Sequence, residues 1–253
     1  MLKISDGAAR KQRTLTIKKQ KKMSKTSKNV LGDQRGRIGK VVGKVVDGVQ
    51  MYSAHTDSVK NPRTPKQVAY RARFSETIQL GKAMPGAINV GLKNCAAKLK
   101  LISAFNIFVK KNIGHITYNA ETEMTTVDYP HVELSEGDTP FVSFTGVTFN
   151  VALTVTASFT GNSDIPGAYE DDSVYVVVYA PAIGKSMMAT GARADSSVAV
   201  VLPSVFAGET VHVWGFTKTS VEDTVRVENY GMTLTPGECS ITSYIGTGTV
   251  LAE

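Results

Sequence analysis

The chemistry this chain offers is first of all that of cations. Lys18, Lys19, Lys21 and Lys22 crowd the N-terminal stretch, Arg35 and Arg37 follow, and Arg63, Lys66, Arg71 and Arg73 close the series. An ammonium group neutralises phosphate or carboxylate as a point charge, whereas a guanidinium can clamp either one through two parallel hydrogen bonds. Arg63 is placed for such a clamp, because Asn61-Pro62-Arg63-Thr64-Pro65 is a stiff loop leading into a helix start. The same position gives it an equal claim to a role in stabilising the loop. Arg71 and Arg73 likewise divide between a solvated helix face and contact with nucleic-acid phosphate or an acidic protein surface.

Bond-making chemistry finds little to work with. Cys95 and Cys239 are far apart, with no Cys-x-x-Cys, and His55, His115, His131 and His212 are isolated, so no ligand spacing for a metal is present. No Ser-His-Asp or Cys-His arrangement can be placed. The glycines Gly32, Gly36, Gly39 and Gly43 invite comparison with a phosphate-cradling loop, but Gly39-Lys-Val-Val-Gly43-Lys44-Val45 has three intervening residues where four are required. Val45 also stands where a magnesium-binding Ser or Thr is needed. Flexible or closely approaching backbone explains these glycines better. The acids of the second half fall in turn-like segments, Glu133–Asp138 and Glu170–Asp172, where carboxylates are solvated surface. The expectation is a protein that is not an enzyme, with no catalytic residue, no cofactor and no metal.

Charge is divided along the chain. Residues 1–113 hold 25 Lys+Arg against 5 Asp+Glu, a net of +20, and residues 114–253 hold 4 against 17, a net of −13. A boundary this sharp near Gly114 implies two modules with different electrostatic tasks and a polyanionic partner for the first. With 253 residues and 42% hydrophobic content the chain can bury one large core or two smaller ones. Its longest apolar runs, such as Val174–Ala182, are strand-sized and far short of the ~18 residues of a spanning helix. No apolar stretch of a secretory signal follows the N-terminal lysines. A location in a virion or the cytoplasm is expected, with no membrane association.

Three elements would position the cations: an arm, a hairpin and a helical module. Residues 1–29 lack apolar periodicity and should form a disordered basic arm, whose ordering entropy no burial repays. Two readings of it stand: a working polyanion-binding arm, or a solvated tail, with Met23 opening a shorter protein. Residues 30–113 read as a β-hairpin plus a helical module. Val41–Val46 and Val49–Ala54 flank Asp47-Gly48, the signal of a type I′ hairpin turn. Thr64 is a helix N-cap, Pro65 the first helical position, and Gln67 completes a capping box. Tyr70, Phe74 and Ile78 then form an apolar stripe at four-residue spacing, with Lys66, Arg71 and Arg73 elsewhere on the helix. Gly81 and Pro85 end it. Ile88, Leu92, Cys95, Leu99 and Ile102 define a second amphipathic helix, which Ser103–Phe108 continues or caps with Phe105 and Phe108 turned inward.

After Gly114 the period changes to two. Runs at 141–144, 147–157, 173–180, 187–190, 197–202, 209–217 and 240–250, with a weaker one at 226–234, predict an antiparallel β-sandwich of immunoglobulin or fibronectin type over residues 114–253. Leu202, Val211 and Val213 point inward on that reading, and Trp214 packs on the opposite face or the rim. The fold class is therefore α+β.

Several motifs in order carry a family resemblance. Gly39-Lys-Val-Val-Gly43 precedes the hairpin; Lys60-Asn-Pro-Arg-Thr64 is followed by Gln67, Arg71 and Phe74. Ser103-Ala-Phe-Asn-Ile-Phe108 then comes with Asn112, and Leu202-Pro203, Gly208 and Ser243-Tyr-Ile-Gly246 close the series. Over residues 32–253 this pattern resembles an uncharacterised family of Bacteroidetes proteins, and its Asn-Pro-Arg-Thr portion is similar to phage virion-associated proteins. The arm before Met23 and an insertion around Ser220–Gly237 depart from the pattern. The resemblance implies a basic hairpin-plus-helix module joined to an immunoglobulin-like domain, in a phage or mobile-element setting. The expected partners are further copies of the chain or other virion proteins, with the protein an oligomer, and nucleic acid through its phosphate backbone. The alternative is a sequence-nonspecific nucleic-acid-binding protein of the bacterial host.

Overall fold

The computed structural model describes residues 24–26, 34–46, 48–58, 61, 63–99, 103–150, 152–227 and 232–251. Lys18, Lys19, Lys21 and Lys22 lie outside the described residues, as does most of the arm that carries them. The chain forms two compact units, Met1–Pro62 and Arg63–Glu253. In the second unit the helices share a core with the C-terminal sheets.

The first unit is a four-stranded antiparallel sheet of order β1-β4-β3-β2, made of β1 (Ser24–Thr26), β2 (Gly36–Ile38), β3 (Val41–Val46) and β4 (Val49–Ala54). The β-branched runs either side of Asp47-Gly48 pair as expected, Val46 opposite Val49, and Gly48 adopts a φ of 75°. Ser24–Thr26 pairs with β4, so this part of the expected structureless arm is strand. A Cβ on Gly43 would lie 2.7 Å from the Gln34 carbonyl oxygen. Close backbone approach is the reason for that glycine, and the Gln50 amide fixes it by donating to the Gln34 carbonyl at 2.7 Å and accepting from its N–H at 2.9 Å.

The second unit opens with α1 (Pro65–Ala83), α2 (Pro85–Gly91), α3 (Lys93–Lys98) and α4 (Ala104–Asn112). The second helix expected from the sequence is thus two short ones, separated at Leu92, and Ser103 caps a separate α4 by accepting from the Asn106 N–H. Next come a hairpin that the sequence did not announce, β5 (Ile116–Asn119) and β6 (Met124–Val127), and then β7 (Ser143–Asn150), β8 (Thr154–Thr160), β9 (Ser173–Ala180) and β10 (Lys185–Ala192). β11 (Ser197–Val201), β12 (Thr210–Lys218), the short hairpin β13 (Val225–Val227) and β14 (Met232–Leu234), and β15 (Ser243–Thr249) complete the chain. The single strand expected over 147–157 is instead the end of β7 and the start of β8, paired across a turn with Leu153 at a φ of 52°.

Sheets of order β11-β8-β7 and β10-β9-β12-β15 contribute to one core. Val155 and Ala157 of β8 and Val200 of β11 cluster with Val176, Val178, Val211 and Val213, and Leu202 joins them as the alternation requires. The other face of the four-stranded sheet presents Tyr175, Val177, Tyr179, Trp214 and Phe216 to Leu80, Ile88, Leu92 and Phe108 of the helices. β9 is therefore apolar on both faces, which its run Val174–Ala180 states directly. Trp214 is fully buried on the helix side, and its indole N–H donates to the Tyr129 carbonyl at 3.0 Å.

At one end of these sheets a buried ion pair ties the loops together. The Arg193 guanidinium donates to Asp172 and to the carbonyls of Gly161 and Pro140, while the other oxygen of Asp172 accepts from the Ser220 N–H. No helix among the described residues is long and apolar enough to cross a membrane.

Candidate partner-binding surface

α1 starts as its sequence dictates. The Thr64 hydroxyl accepts from the Gln67 N–H at 3.4 Å and Pro65 occupies the first turn, where no acidic residue is present. The return half of the capping box is not made, because the Gln67 Oε1 is buried without a hydrogen-bond partner. Beyond this first turn the expected apolar stripe is on the wrong side of the helix. Tyr70 is 53% exposed and Phe74 44%, while the residues buried on α1 are Thr77, Leu80 and Gly81.

The reason lies in α4. A Cβ on Gly81 would sit 2.8 Å from the Phe105 ring and 3.0 Å from that of Phe108, so the two aromatic rings supply the apolar surface and α1 supplies the room. The Thr77 hydroxyl is satisfied within the helix by donating to the Arg73 carbonyl at 2.7 Å. Small residues thus face the core and large ones face outward, the reverse of what side-chain size alone indicates.

Lys66, Tyr70 and Phe74 recur at four-residue steps and line one outward face. Arg63 and Arg71 are exposed as well, and Arg73 is half-buried with its guanidinium carbon 5.8 Å from the centre of the Tyr70 ring. That distance is within reach of a cation–π contact. Arg63 and Lys66 have no ion pair among the described residues, and the Arg73 Nε is buried with no hydrogen-bond partner. Of the cations singled out in the sequence, Lys66 shares the outward face of the two exposed rings and Arg73 lies beside Tyr70, while Arg63 and Arg71 are exposed on the same segment. Arg35 and Arg37 belong to the first unit, both exposed; the Arg37 Nε donates to the Gly39 carbonyl at 2.9 Å and its guanidinium lies 3.9 Å from Asp57.

Other lysines of the helical segment are neutralised within the chain. Lys98 meets Glu238 at 2.7 Å, and Lys111 pairs with Glu133 and lies 3.5 Å from Glu136. Burial alone would push the Glu238 carboxyl up, but hydrogen bonds from Lys98 and from the Thr235 N–H and hydroxyl outweigh it and hold the group below its ordinary value. The charge of the first 113 residues is thus partly used up in docking the helices to acidic turns.

The thiols and rings elsewhere are packed. Burial, then the Cys95 hydrogen bond to Glu136, pushes the Cys95 thiol up to about 11, and burial takes Cys239 to about 12, so neither is a thiolate at neutral pH. Tyr129 stacks on His212 at 3.8 Å between ring centres, and the His212 Nδ1 lies 3.0 Å from the Tyr244 hydroxyl. Burial lowers the basicity of that imidazole. Among the described residues no group of three or more His, Cys, Asp or Glu side chains is arranged to hold a metal ion.

Residues 32–232 match a family model described as a family of unknown function, DUF6266. No curated protein and no solved structure matches the chain.

Proposed function

The chain belongs to the family of unknown function DUF6266, and from that premise we propose that it is a non-enzymatic structural or assembly protein, a virion component of a phage or mobile element. Its basic N-terminal half meets an acidic neighbouring subunit or nucleic acid. The observation that carries this reading is the outward face of α1, where Lys66 shares a face with the exposed rings of Tyr70 and Phe74 and Arg63 and Arg71 are exposed on the same segment. Aromatic and Arg side chains dominate the binding energy of protein interfaces. The virion setting rests on the likeness of the Asn-Pro-Arg-Thr pattern to phage virion-associated proteins.

The seven strands of the two larger sheets, three in order β11-β8-β7 and four in order β10-β9-β12-β15 around one core, support an immunoglobulin or fibronectin-like sandwich with β13–β14 as an insertion. Such a body presents surfaces rather than a reaction centre. The competing reading is binding to nucleic-acid phosphate without regard to sequence, which the lysines of residues 1–29 favour.

Size-exclusion chromatography of the full chain at low and high salt, with and without single- and double-stranded DNA, tests the proposal. Defined assemblies without DNA are the expected result. A mass shift seen only with DNA and lost steeply with salt selects the nucleic-acid reading instead. Replacing Arg63 and Arg71 by Ala is expected to leave the circular dichroism spectrum unchanged and to weaken whichever association is found; unchanged association removes both residues from the surface.

A further inference from the structure

The sheet of the first unit segregates charge by face. Side chains alternate along a strand, and residues paired across a ladder share a face. Lys44 of β3 pairs with Met51 of β4, which pairs in turn with Lys25 of β1, and Arg37 of β2 pairs with Val42. Lys25, Arg37 and Lys44 are the only charged residues in the four strands, and the register puts all three on one face. Neighbouring strands lie about 4.8 Å apart and residues two apart on a strand about 7 Å, so Lys25 stands about 10 Å from Lys44 and Arg37 about 8 Å from it. The opposite face, with Ile38, Val41, Val45 and Tyr52, carries no charge in its strands.

The two faces differ in cover as well. On the uncharged face Gly43 and Gln50 are buried, because the Gln34 backbone crosses there: it exchanges hydrogen bonds with the Gln50 amide, and the Tyr52 hydroxyl donates to the Gln34 side chain at 3.3 Å. On the charged face no described residue is buried, and Arg37, Lys44, Val46 and Val49 are exposed. Lys44 makes no ion pair among the described residues, and Arg37 makes only the 3.9 Å contact to Asp57. Both side chains of that contact are more than half exposed, 57% and 67%, so water screens it. Residues 1–62 hold 15 Lys+Arg against 4 Asp+Glu, so this unit has few acids with which to neutralise the face.

We propose that this face binds the phosphate backbone of double-stranded nucleic acid. Arg37 and Lys44 each meet a phosphate, and Lys25, which follows Lys18, Lys19, Lys21 and Lys22 in sequence, meets a third. This rests on the nucleic-acid reading above and names a surface for it. A duplex offers one negative charge per about 1.7 Å of its axis, so cations spaced as these are find phosphates without a partner surface fitted to them. The face carries no aromatic ring, Tyr52 being on the other side, and so has no platform on which unpaired bases stack. The duplex is therefore the form it fits. Contacts to phosphate alone read no base, and the binding has no sequence preference.

The test uses the full chain and a short fluorescein-labelled DNA duplex of mixed sequence, followed by fluorescence anisotropy over a range of salt, with a single strand of the same length beside it. Arg37→Gln/Lys44→Gln is expected to weaken duplex binding and to reduce the slope of log affinity against log salt by about 1.8, since each phosphate contact contributes about 0.9. Lys82→Gln/Lys185→Gln removes the same charge from exposed positions of the second unit and is expected to leave the slope unchanged. Arg37→Lys/Lys44→Arg keeps both charges and is expected to bind as the wild type does, which separates lost contact from lost fold. A wild type that does not bind the duplex, or that binds the single strand more tightly, overturns the proposal. So does a first pair of Gln substitutions that behaves like the second. In that last case the duplex is held by residues 1–29 or by α1, and the nucleic-acid reading survives while this one does not. Defined assemblies formed without DNA leave the assembly reading standing whichever way the anisotropy falls.

Discussion

Arg193 and Asp172 form an ion pair in which neither side chain has any exposure to solvent, with the Arg193 Nη2 3.0 Å and Nε 3.2 Å from the same carboxylate oxygen. A buried pair of this kind recovers its desolvation cost only when the remaining donors and acceptors are also satisfied. Here the remaining guanidinium donors reach the Gly161 and Pro140 carbonyls at 2.6 Å each, and Asp172 accepts from the N–H groups of Tyr169 and Ser220. One residue pair thus holds four loop segments in register.

Removing either partner alone leaves an uncompensated charge in the interior. Arg193→Met and Asp172→Asn are each expected to lower unfolding free energy by about 3–5 kcal/mol, read from urea denaturation. The double variant should cost less than the two single costs together, and full additivity would show that the charges are not coupled.

Gly81→Ala sets two effects against each other. Alanine gains about 1 kcal/mol in helix propensity over glycine, whereas a methyl group 2.8–3.0 Å from the rings of Phe105 and Phe108 overpacks the α1–α4 contact, at a cost of about 1–3 kcal/mol. Phe108 is fully buried and cannot yield. A net loss of stability is expected in thermal unfolding, and a gain would mean that α4 is free to shift away.

His212 predicts a pH dependence. The groups around it are the neutral phenols of Tyr129 and Tyr244, the Trp214 indole, and Tyr179 opposite it in the ladder. Burial lowers its folded-state pKa below the ordinary 6.5. Below that value the unfolded chain takes up a proton that the folded chain resists, so stability is full above about pH 6.5 and declines as pH falls toward the folded pKa. Melting temperatures between pH 7 and pH 5 should show a decline that His212→Phe reduces.

Glu238 acts in a lower window with the same sign. Its carboxyl is 1% exposed and held below the ordinary value, with Lys98 opposite. The stability it contributes is present above about pH 4.5 and lost as pH falls through the folded pKa. Lys98→Met should weaken that acid-side dependence. Because the Lys98 head is 54% exposed, it should also cost less than breaking Arg193–Asp172.

Much of the local structure was legible from residue order. The strands of the β3–β4 hairpin, the start of α1 at Thr64-Pro65 and the apolar run of β9 were legible because each is set by φ/ψ preference, capping or β-branching within a few residues. The β5–β6 hairpin was not, since Ile116–Asn119 and Met124–Val127 are short and mix polar with apolar residues. The face of α1 was misread. Tyr70 and Phe74 have the spacing of a core stripe, and only the rings of α4, more than twenty residues away, make the glycine and threonine side the buried one. Of the candidate site, the cations were legible and the rings were assigned to the wrong side.

Composition by itself determined that this chain is cationic at one end and anionic at the other, and that its second half is built of strands. Tertiary structure decided how that charge is spent. Lys98 and Glu238 are separated by 140 residues, and Coulomb attraction depends on distance in space, so order along the chain could not show which cations are neutralised at home and which stay available to a partner.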